Sequence, residues 1–520
     1  MRRTHVADEQ ILAGPRTSTP RPRLLALIVF LVLWGLITHG TPAGTGDEPH
    51  YQMITYSLAF DHDLDLTNDY TNPDNLALYG RFEAGSQVQP GKDGRLRSVH
   101  DIGMPVLFAP YYAVAYKLTQ QVVAHVPARW LERARLDFNV VLRHLLSFAM
   151  IGLTAGIAVR LLDMFSALSA ASRRAFAWVL LLVLSPPLMS HSFLFFTEIL
   201  SAFIALYVFM WIRTGQAGEA GGAGRAGLKA HAARGATSVQ YRLQALLAGA
   251  ATGYLLLVHA RNVGLIAGLM TLAIWRARRW PDRGLLVAFM GGAAVLFAVR
   301  TGVNYHLWGT WLTTPQARVG DFAGWQSLVT ESVTRIAGWL FDQEHGLLPY
   351  APIYLLAPAG WVALWKRDRE LCVEISIVVG AYVGVMTIPV LNAHGWRGGW
   401  SPAARFLVPI APFLAILTFA AVAHLRRLPT IVFVIAGVQV CLDAFLWQHP
   451  GLLWNDGFGT SAFLKYLDGG TGRLSSYFPS LNTPVSSLTL AFVAVTSVGW
   501  LLLTVWLSRT ERDLRLPRPA

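Results

Sequence analysis

What constrains this chain most is a succession of apolar runs that continues almost from end to end. From about residue 24 to residue 508, runs of roughly 16–24 residues with almost no charge recur between short polar segments. About 20 apolar residues in a helix cross the ~30 Å hydrocarbon layer of a bilayer. Of the 520 residues, 14% are charged and 54% hydrophobic, whereas a soluble globular protein carries about 25% charge. Mean hydropathy is +0.42. The polar surface is too small for a water-soluble particle of this length. The expected fold class is an all-α polytopic membrane protein.

The apolar runs fall at about 24–40, 138–161, 174–191, 194–213, 242–258, 262–277, 284–302, 350–366, 371–391, 405–424, 428–447 and 486–508. That gives about 12 transmembrane helices, within a range of 11–13. The segment 102–122, "IGMPVLFAPYYAVAYKLTQQV", is apolar but carries Pro105, Pro110 and Lys117. Placed along the membrane surface, with a cytoplasmic N-terminus, it leaves every short basic cluster in the cytoplasm, as the positive-inside rule requires. Those clusters are Arg173 and Arg174; Arg225, Lys229 and Arg234; Arg276, Arg278, Arg279 and Arg283; Lys366, Arg367 and Arg369; Arg426 and Arg427; and Arg509, Arg512, Arg515 and Arg518. Placed across the membrane, it would move all of them outside. The net charge of +13 is therefore spread over loops and does not point to nucleic acid.

The resulting organisation is a cytoplasmic tail 1–23, one transmembrane domain 24–508 and a cytoplasmic tail 509–520. The first run follows Arg16, Arg21 and Arg23 and reads as an uncleaved signal anchor. External segments are 41–137, which holds juxtamembrane helices, 303–349, 392–404 and 448–485; 214–240 is a Gly/Ala-rich cytoplasmic linker. The cytoplasmic side has no GxxxxGK[ST] motif for a nucleotide, and Gly222–Gly227, which fits GxGxxG, lies inside the low-complexity Gly/Ala linker. Cys372 and Cys441 are too few for a disulfide framework.

Chemistry-bearing residues gather on the external side. "GDEPHY" places Asp47 and Glu48 just beyond the first span. A carboxylate flanked there by apolar helices can have a raised pKa and act as a general base on a hydroxyl. Asp47 can equally be the N-cap of the helix that Pro49 opens. Adjacent helical residues point about 100° apart, so Asp47 and Glu48 are not expected to share one job. Asp61, Asp63, Asp65 and Asp69 begin like an EF-hand loop, but Leu66 and Asn72 break the pattern, leaving a solvated loop. Glu198 stands at the membrane edge, where helix-end solvation competes with a functional role. His259 and Arg261 in "VHARN", and His394, Arg397 and Arg405 in "NAHGWRGGWSPAARF", place arginines outside, against the charge rule. An external arginine needs an anionic partner, a lipid headgroup or a bound phosphate.

These motifs taken in order resemble the GT-C superfamily of membrane glycosyltransferases, most of all the branch with bacterial aminoarabinose transferase and the protein O-mannosyltransferases. They are "GDEPHY" after the first span, the Pro-containing "HDIGMPVLFAPYY", "RLLDMF", "FFTE" and "GWRGGWSPAARFLVPIAPFLA". The resemblance implies a sugar donor carried on a polyprenyl phosphate and inverting transfer to a hydroxyl of a lipid, glycan or protein acceptor. It implies Asp47 as base, with Glu48 the alternative beside it, and Glu198 as a second catalytic acid. Arg261, Arg397, Arg405 and His259 would bind the donor phosphate, and His50, Tyr51, His100 and His394 would contact substrate. Arginines can balance a leaving monophosphate, so no cofactor is required. Asp47, Glu48, His50, Glu198 and His259 remain a possible set for a divalent cation if the fold gathers them. The competing class is a membrane transporter or lipid/glycan flippase, for which Glu374 and Asp443 are the nearest intramembrane charges. A glycan ligase that uses the same arginines is a third option.

Overall fold

A computed structural model describes residues 22–38, 46–72, 87–169, 171–214, 236–280, 282–312, 324–388, 396–423, 429–455, 457–481 and 487–513. His394 lies outside them, as do Arg225, Lys229, Arg234, Arg426, Arg427, Arg515 and Arg518. The described chain runs through α1 (Pro22–Thr38), α2 (Glu48–Tyr56), α3 (Gly103–His125), α4 (Phe138–Leu168), α5 (Ser172–Val183), α6 (Thr197–Thr214), α7 (Ala236–Val258) and α8 (Val263–Arg276). It continues through α9 (Gly284–Trp308), α10 (Trp325–Phe341), α11 (Ala357–Arg367), α12 (Arg369–Thr387), α13 (Ala411–Ala423), α14 (Thr430–Gln448) and α15 (Ser487–Asp513). Shorter turns of helix lie between them.

Each of the expected runs falls on one of these helices. Six segments are long and apolar enough to cross a membrane by length and composition: Phe138–Leu168, Val239–Val258, Gly284–Trp308, Arg369–Thr387, Arg405–Ala423 and Thr430–Gln448. The protein is an all-α polytopic membrane protein. Its outer helices show what solvent they expect: α9 exposes Val287, Val295, Phe297 and Val299, and α14 exposes Phe433, Val434 and Val438. Apolar faces of this extent belong in hydrocarbon. Inside, where lipid and protein are equally apolar, close packing holds the helices together. Phe165 of α4 stacks on Phe419 of α13 with ring centroids 4.2 Å apart. Trp447 of α14 donates its Nε1–H to the Val32 carbonyl of α1 at 2.9 Å.

Three boundaries differ from the sequence reading, each for a local reason. The run 174–191 is helical only to Val183 before a break, because Pro186 and Pro187 lack the N–H groups a continuing helix needs. The run 405–424 opens as a 3-10 turn, Arg405–Ile410, before α13. The external segment 303–349 contains a helix, α10, whose exposed Trp325, Val329, Val333 and Ile336 recur at helical spacing on one face.

A small hairpin in the first external segment positions the site. Strands β1 (Val88–Pro90) and β2 (Leu96–Ser98) pair antiparallel, with Gln89 opposite Arg97. The chain leaves β2 through His100 and Asp101 into α3. A Cβ at Gly103 would lie 2.4 Å from the Leu257 carbonyl carbon. Only glycine lets the first turn of α3 rest on the end of α7, and that contact sets Asp101 against the 259–262 turn.

Candidate active site

The "GDEPHY" turn begins at Gly46, which has φ +62°, and a Cβ there would meet the Trp400 carbonyl oxygen at 2.9 Å. Asp47 follows at the N-cap position of α2, but its side chain makes no capping hydrogen bond. It forms an ion pair with Nη2 of Arg405 instead. The capping reading is therefore corrected: the position is that of a cap, and the carboxylate is directed elsewhere.

Arg405 is 5% exposed and all three of its guanidinium nitrogens are engaged. Nε donates to Glu198 Oε1 at 2.6 Å, Nη1 to the Gly398 carbonyl at 3.2 Å, and Nη2 to Asp47. The guanidinium lies 4.6 Å from the Phe196 ring centroid. The residue before it, Ala404, is held at φ +57°, and its N–H donates to the His345 carbonyl at 3.0 Å. Arg405, expected to grip a phosphate, clamps two carboxylates in this structure. Glu198, buried on the first turn of α6, is not the solvated helix end that its edge position allowed.

Arg261 joins the same group, with Nη1 3.4 Å from Glu198 Oε1 and its guanidinium 4.6 Å from the Phe406 ring centroid. His259 Nδ1 accepts the Arg261 backbone N–H at 3.1 Å, and its Nε2 is 2.7 Å from Arg261 Nη2. Tyr51 is fully buried. Among the described residues its hydroxyl has no hydrogen-bond partner. The Tyr51 and His50 rings each lie 5.1 Å from that of His100, and His50 Nδ1 is 2.7 Å from the Tyr70 hydroxyl.

The centre holds two carboxylates and two guanidiniums, so it is formally neutral. Its openings are at Asp47 and Arg261, whose side chains are each 15% exposed. Burial alone would raise the Asp47 carboxyl, but Arg405, with Arg261 further off, holds it well below the usual range. The expected raised pKa at Asp47 is thus overturned. Burial pushes His50 down to about 3, and it lowers His100 and, with Arg261 beside it, His259. All three imidazoles are neutral at pH 7. Glu48 points away from this group and accepts the Phe195 N–H at 3.1 Å, where burial raises its carboxyl against the pull of Arg143. Arg397 stands exposed at the surface. Its guanidinium lies 5.7 Å from the Trp396 ring centroid.

Asp101 and Arg300 escaped the sequence reading. Asp101 Oδ1 is 2.6 Å from Arg300 Nη2, and its Oδ2 accepts the Ala260 N–H at 2.8 Å. Arg300 carried a usable signal: it is a cation within an otherwise apolar helix, a costly placement that calls for a partner. Among the described residues, no three His, Cys, Asp or Glu side chains are arranged to hold a metal ion. Arg405 lies between Asp47 and Glu198, and Glu48 faces Phe195, so the five-residue set is not gathered. In the EF-like stretch, Asp63 accepts from Ser57 and Asp65 accepts from Thr67.

An apolar cavity of about 320 Å³ adjoins this end of the bundle. Trp339, Leu348, Tyr354, Trp361, Leu407 and Trp500 help line it, and Leu407 is two residues beyond Arg405. Both cysteines are free. Asp443 is taken up by Ser185 at 2.6 Å and Gln439 at 2.8 Å, and Glu374 by Arg213 and Arg276.

No family model matches the sequence, and no curated protein matches it. Among solved structures, ArnT from Cupriavidus metallidurans bound to undecaprenyl phosphate is similar at 15% identity and TM-score 0.47, over 94% of this chain and 74% of that one. The archaeal oligosaccharyltransferase AglB from Archaeoglobus fulgidus, in complex with an inhibitory peptide and a dolichol-phosphate, is similar at 11% identity and TM-score 0.40. The apo form of the Archaeoglobus fulgidus oligosaccharyltransferase gives 12% identity and the same TM-score of 0.40. This chain spans 61% of the length of each of those two.

Proposed function

We propose that the protein is a GT-C-type membrane glycosyltransferase that moves a sugar from a polyprenyl-phosphate donor to a hydroxyl acceptor on the external face. The observation that carries this is the partly open Asp47 carboxylate, fixed by Arg405, with Leu407, two residues beyond Arg405, lining an apolar cavity. The prenyl chain lies in that cavity, entering from the membrane past Ile336 and Trp361, which are 42% and 39% exposed. Its phosphate faces Arg261, the guanidinium of the centre with exposed surface. The acceptor hydroxyl stands at Asp47, and the buried Tyr51 hydroxyl supplies a hydrogen bond to the sugar or phosphate.

In the reaction, the acceptor oxygen attacks the anomeric carbon from the face opposite the phosphate. The carbon–oxygen bond to phosphate breaks, its electron pair stays on the phosphate oxygen, and the configuration inverts. The acceptor proton passes to Asp47 and then to water. A carboxylate held at low pKa is a weak base toward a neutral alcohol. It becomes competent once the attacking oxygen has begun to bond to carbon and its proton has become acidic, so proton transfer is late. Arg261 stabilises the charge developing on the leaving phosphate. Glu198 holds Arg405 and Arg261 in register.

The topology belongs to the same reading. About 12 helices cross the membrane within a single domain 24–508, with both termini cytoplasmic, in the plasma or inner membrane. The test is a product assay on purified protein in nanodiscs, using a panel of radiolabelled polyprenyl-phosphate hexoses and pentoses with an envelope lipid and glycan extract as acceptor. Label should leave the carrier and appear on an acceptor. Label that stays on the carrier and only changes leaflet would identify a flippase.

A further inference from the structure

We infer that Asp101 is a positioning residue that presents Arg261 to the substrate phosphate, with Arg300 holding Asp101; the inference rests on the reading of Arg261 as the phosphate contact. Three parts of the chain meet at the Asp101 carboxylate. It arrives from the β2–α3 connection, pinned by the glycine contact of Gly103 with Leu257. Its Oδ2 accepts the N–H of Ala260, the residue immediately before Arg261, at 2.8 Å. Its Oδ1 pairs with Arg300 of α9 at 2.6 Å, and Arg300 Nη1 donates to Asn304 Oδ1 at 2.9 Å. Asp101, Arg300 and His259 are 6%, 8% and 6% exposed.

A buried ion pair adds little net stability over an apolar pair of the same shape, because both charges are desolvated. Stability alone therefore does not account for a charged pair between an external loop and an apolar helix. What the pair provides here is direction. The Ala260–Asn262 turn is one 3-10 turn, capped by His259 Nδ1 on the Arg261 N–H. Asp101 fixes the first N–H of that turn and lies 3.9 Å from His259 Nδ1. Both contacts constrain the backbone from which the Arg261 guanidinium reaches Glu198. Arg300 holds Asp101 in place without itself touching the centre.

The test uses the full-length protein in nanodiscs and two readouts. Hydrogen exchange follows the amides of residues 259–262, and the affinity for a synthetic polyprenyl monophosphate is measured directly. Asp101→Ala should remove protection from those amides and weaken binding about tenfold. The same loss should appear in Arg261→Lys, with the double variant no weaker than the stronger single one, since both act through one guanidinium. Asp101→Asn combined with Arg300→Met keeps an oxygen for the Ala260 N–H and leaves no stranded charge, but lacks the pair that orients it, so it should recover only part of the protection and affinity that Asp101→Ala loses. Unchanged protection in Asp101→Ala overturns the inference, as does lost protection with unchanged affinity, or additive losses in the double variant. A wild-type protein that fails to bind the lipid phosphate overturns the functional reading instead, and the exchange data still decide whether Asp101 fixes the turn.

Discussion

Three helices, α6, α8 and α12, carry a charge cluster at each end, and the two clusters differ in where their charges come from. At one end, Glu198 opens α6, Arg261 precedes α8, and the chain beyond α12 brings in Arg405. At the other end, on the order of 20 Å away along α6, Glu374 of α12 lies 2.5 Å from Arg276 and 3.3 Å from Arg213. Arg213 also reaches Asp368 at 3.1 Å, and Arg276 and Arg279 both pair with Glu370. That second cluster matches three guanidiniums to three carboxylates contributed by the ends of the same helices. Its central carboxylate, Glu374, has 0% of its side chain exposed. The first cluster joins charges from distant parts of the chain, Asp47 and Arg405 among them, and the buried Tyr51 hydroxyl has no hydrogen-bond partner among the described residues. Buried ion pairs alone do not make a site.

The largest effect should come from Arg405→Met. It strands two buried carboxylates, for a loss of about 3–5 kcal/mol of stability, and it should abolish transfer as well, read by thermal unfolding and product formation. Glu374→Gln tests the other end. It should lower stability by about 1–3 kcal/mol while transfer per folded molecule stays within about threefold. Abolished transfer in folded Glu374→Gln protein would erase the distinction between the two clusters.

The pH response should be smaller and should separate stability from rate. Asp47 has a folded pKa below its unfolded value, so its stabilising pairing is complete above the unfolded pKa and is lost only at lower pH. It stays ionised from pH 5 to 8. His50, His100 and His259 have folded values below their unfolded ones, His50 at about 3. The unfolded chain therefore binds more protons below about pH 6.5, and stability falls from pH 7 toward pH 5. Transfer per folded molecule should change less than about twofold over that window, a flat limb that a rate tracking the imidazoles would contradict. The smallest effect is expected for Glu48→Gln, which keeps an oxygen for the Phe195 N–H and should leave transfer within about threefold. A Glu48→Gln enzyme without activity would move the base assignment to Glu48.

The helices and their order were legible because bilayer thickness writes itself into the length of each apolar run. Asp47, Glu198, Arg261 and Arg405 stood out because each breaks a rule of charge placement, and the structure brings all four together. Their division of labour was not legible. Whether Arg405 holds carboxylates or a phosphate depends on distances between residues 47, 198 and 405, which the folded chain alone sets. The same holds for Asp47, where local spacing predicted a cap and Arg405 draws the side chain away. Asp101 was passed over because its partners, Ala260 and Arg300, are far off in sequence. The helix in 303–349 was missed because its apolar face, read as part of an external loop, shows no uninterrupted run.

The most direct measurement compares sugar transfer by Asp47→Asn and Glu374→Gln in nanodiscs, each normalised to folded protein, with a polyprenyl-phosphate sugar as donor. Loss of a positioned general base costs about 10²–10⁴-fold, so Asp47→Asn should fall by that factor per folded molecule, while Glu374→Gln turns over near the wild-type rate. Near-wild-type turnover by folded Asp47→Asn would contradict the account.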